Sequence, residues 1–189
     1  MESLRTFVAI NVKVETELAT KWRELKKLLN NDIIKWVNED SLHLTLFFLG
    51  DTPTDKIDTI KQSLERELRN FASFNITIKG FGTFGHPKSP KVIWAGITNA
   101  EKLNQLNRIV SGAIMPLGFE AQSENFSPHF TLGRVKQMRF PNGLANFINK
   151  NASDILQEVK VNEVIFYQSI LKPSGVAYKP LKTIKLPSL

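Results

Sequence analysis

The chain contains no cysteine. Disulfide frameworks, thiolate nucleophiles and cysteine-built metal sites are therefore excluded together. It also lacks any apolar run near the ~20 residues a membrane-spanning helix needs. "MESLRTFVAI" has none of the charged, apolar and small-residue zones of a secretory leader. These absences set the expectation of a cytoplasmic protein with no membrane attachment. Neither Gly-x-Ser-x-Gly nor a Gly-rich P-loop occurs, so the markers of a serine-hydrolase elbow and of a Walker-type nucleotide site are missing. Histidine is scarce, with three in 189 residues.

What remains is the composition of an ordinary globular protein, 42% hydrophobic and 23% charged, enough to bury a real core. Formal charge is +7 and unevenly spread. Residues 1–90 hold 13 Lys and Arg against 12 Asp and Glu, whereas residues 91–189 hold 12 against 6. A basic second half is compatible with an anionic partner such as nucleic acid or phosphate.

Strands and helices alternate along the chain. "RTFVAINV" (5–12) reads as a strand, and residues 15–29 as an amphipathic helix with Leu18, Trp22, Leu25 and Leu29 on one stripe. Strands at 33–37 and 41–49 follow. Thr52 is expected to cap a helix entered through Pro53 and Asp55 and running to about Asn70. Strands at 74–80 and 91–97 come next, then a helix over 100–115 capped by Asn99. A strand at 129–135, a weak helix within 142–156 and closing strands at 160–171 and 177–186 complete the pattern.

Sliding the first half onto the second by 86 residues superimposes these elements. Val8-Ala9 falls on Trp94-Ala95, the first helix on 101–115, and His43 and Thr45 on His129 and Thr131. One offset serving every element predicts a single domain over 1–189 built from two similar halves, 1–90 and 91–189. The expected class is α+β. The fold should be bilobal and pseudo-symmetric, each lobe an antiparallel sheet facing a central cleft with its helices outside.

Two of the three histidines sit in one frame, "HLTL" (His43, Leu44, Thr45, Leu46) and "HFTL" (His129, Phe130, Thr131, Leu132). Residues i and i+2 of a strand share a face. Each motif therefore turns a His–Thr pair one way and apolar side chains the other. Lobes related by a pseudo-twofold axis would bring both pairs to one cleft. Two imidazoles with an ordinary pKa near 6.5 can divide proton work, one as base and one as acid. Which does which is open on these grounds. Threonine hydroxyls and a cation would hold phosphoryl oxygens. Arg134 is the candidate cation, provided the strand ends or bulges near Gly133 so that its side chain reaches the face of His129. Two histidines without a nearby carboxylate motif fall short of the usual three or four metal ligands, so no metal or cofactor is expected.

Taken in order, "RTFVAI", "LHLTLFFLGD", "FGTFGHPKSPKVIWAGI", "FSPHFTLGRV" and "VIFYQSILKPSGVAYKPL" resemble the two-histidine phosphoesterase superfamily. The branch they are most similar to is the RNA 2′,3′-cyclic phosphodiesterases, also called 2′–5′ RNA ligases. The resemblance implies a metal-independent hydrolase that opens a terminal 2′,3′-cyclic phosphate to a 2′-phosphate. In that scheme His43 is the proton donor, His129 the proton acceptor, and Thr45, Thr131 and Arg134 the phosphate-binding residues. It implies RNA ends or nucleotides as partners and a monomer needing no partner chain, with reverse 2′–5′ joining as a second outcome.

One departure is the hairpin Phe84-Gly85-His86-Pro87, where relatives often carry Phe-Pro-Asn-Pro. His86, Lys88 and Lys91 there read best as exposed turn residues, with substrate contact the alternative. Phe47, Phe48, Phe126 and Phe130 invite a base-stacking reading. Phe48 stands out because the offset places it at Arg134's counterpart. Two rival functions stay open, a non-catalytic RNA- or nucleotide-binding module and a phosphodiesterase for small cyclic-phosphate nucleotides.

Overall fold

The computed structural model describes residues 2–120, 126–173 and 175–188. Its elements run β1 (Ser3–Asn11), α1 (Thr16–Leu28), β2 (Ile33–Trp36), β3 (His43–Pro53), α2 (Ile57–Leu68), β4 (Phe74–His86) and β5 (Ser89–Thr98). They continue with α3 (Glu101–Ile114), β6 (Phe130–Gln137), α4 (Pro141–Lys150), β7 (Ile155–Val161), β8 (Glu163–Lys172) and β9 (Gly175–Lys185). The class is α+β with two antiparallel sheets, one ordered β3-β1-β8-β9 and the other β2-β6-β5-β4-β7.

The helices form where apolar side chains recur at helical spacing. Leu18, Trp22 and Leu25 of α1 are fully buried, as are Ile60, Leu64 and Leu68 of α2. Helices α2 and α3 pack on each other, with α2 against β9 and α3 against β3, while α1 packs against α4 and β7. One apolar core runs through both sheets, joining Val8, Leu44 and Phe166 to Ile93, Phe130 and Leu132. Sheet residues of opposite parity form a second cluster, Phe7, Ala9, Ile165 and Tyr167, with Phe48 and Tyr178 against it. That cluster floors the other face of the first sheet, and His43 stands on it.

Several boundaries differ from expectation. Thr52 does not cap a helix: β3 runs on to Pro53, and a short 3-10 turn (Thr54–Lys56) precedes α2. Proline is tolerated there because β3 is an edge strand. Thr52 is buried, donating its hydroxyl to the Gly50 carbonyl at 3.1 Å and accepting from Thr6 Oγ1 at 2.7 Å. Asn99 does not cap α3 either. It takes a left-handed turn, φ 59°, a conformation Asn tolerates, and Ala100 is the residue before the helix. Finally, the single expected strand 160–171 is two: β7 lies in the five-stranded sheet and β8 in the four-stranded one, with Asn162 between them. Ile155 and Leu156, read as the tail of a helix, belong to β7.

The Thr6–Thr52 pair is interior, so removing one partner strands the other. Thr52→Val should cost about 1–3 kcal/mol by denaturant unfolding. Thr6→Val/Thr52→Val should cost less than that single change, and a larger cost in the double variant would show that the hydroxyls do not satisfy each other.

Candidate active site

Strands β3 and β6 carry the two motifs and contact one another, although they belong to different sheets. In each, the apolar motif positions go inward: Leu44, Leu46, Phe130 and Leu132 are buried. His43, His129 and Thr131 are half-buried on the other face, and Thr45 is exposed.

Both rings are fixed in the same way. His43 Nδ1 lies 2.8 Å from the Ser41 carbonyl, and His129 Nδ1 lies 2.7 Å from the Ser127 carbonyl. A carbonyl only accepts, so each Nδ1 carries its proton and donates it, leaving Nε2 as the ring's remaining acceptor. Aromatic neighbours hold the ring planes. His43 rests against Phe7 and edge-on to Tyr178, centroids 5.1 and 4.9 Å away. His129 rests edge-on to Phe84 at 4.7 Å, with Trp94 beyond at 6.5 Å. The Trp94 indole lies across Gly82, where any Cβ would collide with it.

Arg134 reaches this face through a bulge. Ile93 pairs with Gly133 and Trp94 with Thr131, so Leu132 is an extra residue in β6. The extra residue resets the alternation, and Arg134 emerges on the side of His129 and Thr131. Gly133 is required beside it because a Cβ there would stand 2.8 Å from Ile34 and Trp36 of β2. The first motif bulges at the equivalent place. Val8 pairs with Phe47 and Ala9 with Thr45, so Leu46 is the extra residue and Phe48 turns onto the groove face. The pairings also show that Ala9, not Val8, is the counterpart of Trp94, an offset of 85 along this strand.

Burial is the largest influence on both histidines and lowers their pKa below the usual 6.5. The backbone hydrogen bond opposes this in each case, and the positive charge of Arg134 adds to the lowering. One guanidinium thus acts on both imidazoles. The Tyr178 hydroxyl is raised by burial, with Arg134 and Arg5 pulling it back. Among the described residues no three His, Asp, Glu or Cys side chains converge as metal ligands.

The other sequence candidates separate cleanly. His86 is exposed at the β4–β5 hairpin tip, its Nδ1 accepting from the Lys88 backbone N–H at 3.2 Å, and Lys88 and Lys91 are exposed with it. Phe47 and Phe130 are core, and Phe126 packs on the core; of the four phenylalanines only Phe48 joins the groove cluster. Phe7, Phe84, Trp94 and Tyr178 were not singled out from sequence. For Phe7 and Trp94 a signal existed in strand parity, once partners were known. For Tyr178 there was none, because β9 reaches the groove only through β8.

Two His-x-Thr strands in contact, with one arginine acting on both imidazoles, are the arrangement expected of a paired-histidine phosphoester site. Known proteins agree with that class. The family model for the 2′-5′ RNA ligase superfamily matches residues 14–169. RNA 2′,3′-cyclic phosphodiesterase of Thermotoga maritima is 37% identical over 94% of this chain and 93% of its own. That of Archaeoglobus fulgidus is 33% identical over 96% and 100%. In fold, a crystal structure from Thermus thermophilus aligns with TM-score 0.78 at 24% identity, covering 98% of this chain and 99% of its own. E. coli LigT complexed with 3′-AMP aligns at 0.73 and 24%, with the same coverage. The chain belongs to the 2′-5′ RNA ligase superfamily. No helix among the described residues is long and apolar enough to cross a membrane.

The shared guanidinium has a measurable consequence. Because Arg134 lowers both imidazoles, Arg134→Ala should raise the pKa of His43 and of His129 together in an NMR titration. Movement of one alone would mean that the arginine does not serve both.

Proposed function

We propose that this protein is a phosphodiesterase that opens the 2′,3′-cyclic phosphate at an RNA end and leaves a 2′-phosphate. The observation that carries the reading is the matched pair of Nδ1-anchored imidazoles under the influence of one arginine. It accords with the names of the relatives above, which span nearly the whole chain. A module that only gripped phosphate would be served as well by lysine or arginine.

In the proposed step, His129 Nε2 takes a proton from water as its oxygen attacks phosphorus. The bond from phosphorus to O3′ breaks, and imidazolium His43 delivers a proton to O3′. Thr45 and Thr131 donate hydrogen bonds to the non-bridging oxygens, and Arg134 offsets their charge. The products are a 2′-phosphomonoester and a free 3′-hydroxyl. The donor and acceptor roles follow the family resemblance. A 5′-hydroxyl in place of water would give a 2′–5′ linkage with the same proton transfers. Since one chain supplies both histidines, these proton transfers call on no second subunit.

The lowered imidazoles fix the pH dependence. The free enzyme needs one ring protonated and one neutral, so kcat/KM should be bell-shaped between their two pKa values. Both lie below 6.5, and the maximum should too. An anionic substrate counters Arg134 and favours the imidazolium, moving the kcat profile to higher pH. His43→Ala and His129→Ala should each lose roughly 100-fold or more in turnover of a nucleoside 2′,3′-cyclic phosphate, with phosphorus NMR identifying the 2′-isomer from the intact enzyme. EDTA should change nothing. Near-normal activity in either variant would end the paired-histidine scheme, and a divalent-ion requirement would end its metal independence.

A further inference from the structure

Two cations stand opposite each other beside the active site. Lys35 of β2 pairs across the ladder with Arg134 of β6. Its flanking residues fix the face they share. Ile34 and Trp36 pack on the core and fill the space over Gly133, so Lys35, between them, points with Arg134 to the groove. Both are exposed. Like charges directly opposite on one face of a sheet repel and weaken the pairing. A carboxylate between them would relieve this, yet among the described residues neither cation forms an ion pair. The acidic side chains on either side of β2 are engaged elsewhere. Asp32 accepts from the backbone N–H groups of Arg139 and Phe140, and Glu39 pairs with Lys26 at 3.4 Å. In the scheme above the reacting phosphate answers Arg134, and nothing answers Lys35.

We infer that Lys35 is a second phosphate subsite, holding the phosphate one nucleotide beyond the 5′-hydroxyl of an incoming RNA strand. This rests on the phosphodiesterase reading above and extends it to 2′–5′ joining. In-line displacement sets the nucleophile opposite the departing O3′. With His43 serving O3′, the nucleophile lies on the side of His129 and β6. That strand has two neighbours. Toward β5, Trp94 and Phe84 close against the His129 ring, with centroids 6.5 and 4.7 Å away. Toward β2 the wall is cationic, and β2 is the edge of its sheet, so the groove opens past it. An incoming strand, anionic at every link, therefore leaves over β2. Neighbouring strands lie about 4.8 Å apart, and the flexible four-carbon stem of lysine extends that reach to the next phosphate. In joining, the 5′-hydroxyl oxygen bonds to phosphorus as its proton passes to His129. The bond to O3′ breaks, and O3′ takes the proton of imidazolium His43. Lys35 forms and breaks no bond. Water brings no second phosphate, so the subsite acts on joining and its reversal rather than on hydrolysis.

The test uses two uncleavable mimics of the joined product. One is 3′-deoxyadenosylyl-(2′–5′)-adenosine, and the other is the same dinucleotide with a phosphate on its terminal 3′-oxygen. Cleaving a 2′–5′ link requires the adjacent 3′-hydroxyl as nucleophile, which both lack, so calorimetry reads binding alone. For the intact protein the added phosphate should tighten binding roughly 10-fold, the scale of one charge-assisted contact. In Lys35→Gln that gain should fall to about twofold or less, while the phosphate-free dinucleotide binds as before. Lys35 is exposed, so the variant is expected to fold. Lys150→Gln, which removes an exposed cation from α4 outside the groove, should keep the gain. No gain in the intact protein, or an undiminished gain in Lys35→Gln, would overturn the subsite. So would an equal drop in Lys150→Gln, which would make the effect one of net charge. Equal weakening of both dinucleotides in Lys35→Gln would overturn it too, by assigning Lys35 to the reacting phosphate. None of this needs turnover. A protein that leaves adenosine 2′,3′-cyclic phosphate intact sinks the phosphodiesterase reading, and the subsite still stands or falls on binding.

Discussion

A regular strand sends alternate side chains to opposite faces, and a histidine, a threonine two residues on and an arginine five residues on cannot all share one. One extra residue directly after the threonine of each motif removes that conflict. Leu46 and Leu132 are the unpaired positions, and both are buried. A bulge interrupts the ladder, but here the leucine retains its place in the core. Past it the parity is reversed, and Phe48 and Arg134 come round to the groove. Gly133 completes the arrangement on one side by leaving room for Ile34 and Trp36 of the neighbouring edge strand. Everything proposed for the site depends on this geometry, since without it the groove would hold two imidazoles and no cation between them.

The electrostatics follow from the same placement. Rings held by carbonyl acceptors and aromatic edges are partly desolvated, and desolvation favours their neutral form. Arg134 pushes in the same direction. The backbone hydrogen bonds oppose both, and they also select the tautomer with Nε2 unprotonated. A free groove in this state has two bases and no acid. Arrival of a phosphodiester anion changes the balance, because its charge answers the arginine and stabilises an imidazolium. The group to be cleaved thereby helps to create the proton donor that cleaves it.

The site was legible in sequence because its chemistry is local: His and Thr two apart on a strand, flanked by leucines, carry their facing with them. The helices were legible for a similar reason, through the recurrence of Leu18, Trp22 and Leu25. What was not legible depended on partners far along the chain. Thr52 looks like a cap until Thr6, 46 residues earlier, is known to sit against it. The run around Asn162 alternates without a glycine or proline, so nothing local marks where the chain leaves one sheet for the other. Tyr178 reaches His43 only because β9 pairs with β8 and β8 with β1. The bulges lay between these cases: Gly133 hinted at one, while Leu46 gave no sign.

The exchange at Asn162 has a further consequence for the spacing of the histidines. Neither half of the chain contains a complete sheet. The first half gives β1 and β3 to the four-stranded sheet but β2 and β4 to the five-stranded one, and the second half returns β8 and β9. Each sheet is closed by strands from the other half, and the core beneath them is continuous. Two lobes joined by a linker could drift apart and leave each histidine stranded on its own wall. The two walls have no strand in common, but the core between them is single and each half of the chain is woven into both, so they cannot separate without opening that core. The distance across the groove is therefore set by the same interactions that fold the protein, and a small, tightly held substrate group such as a cyclic phosphate suits a groove of fixed width.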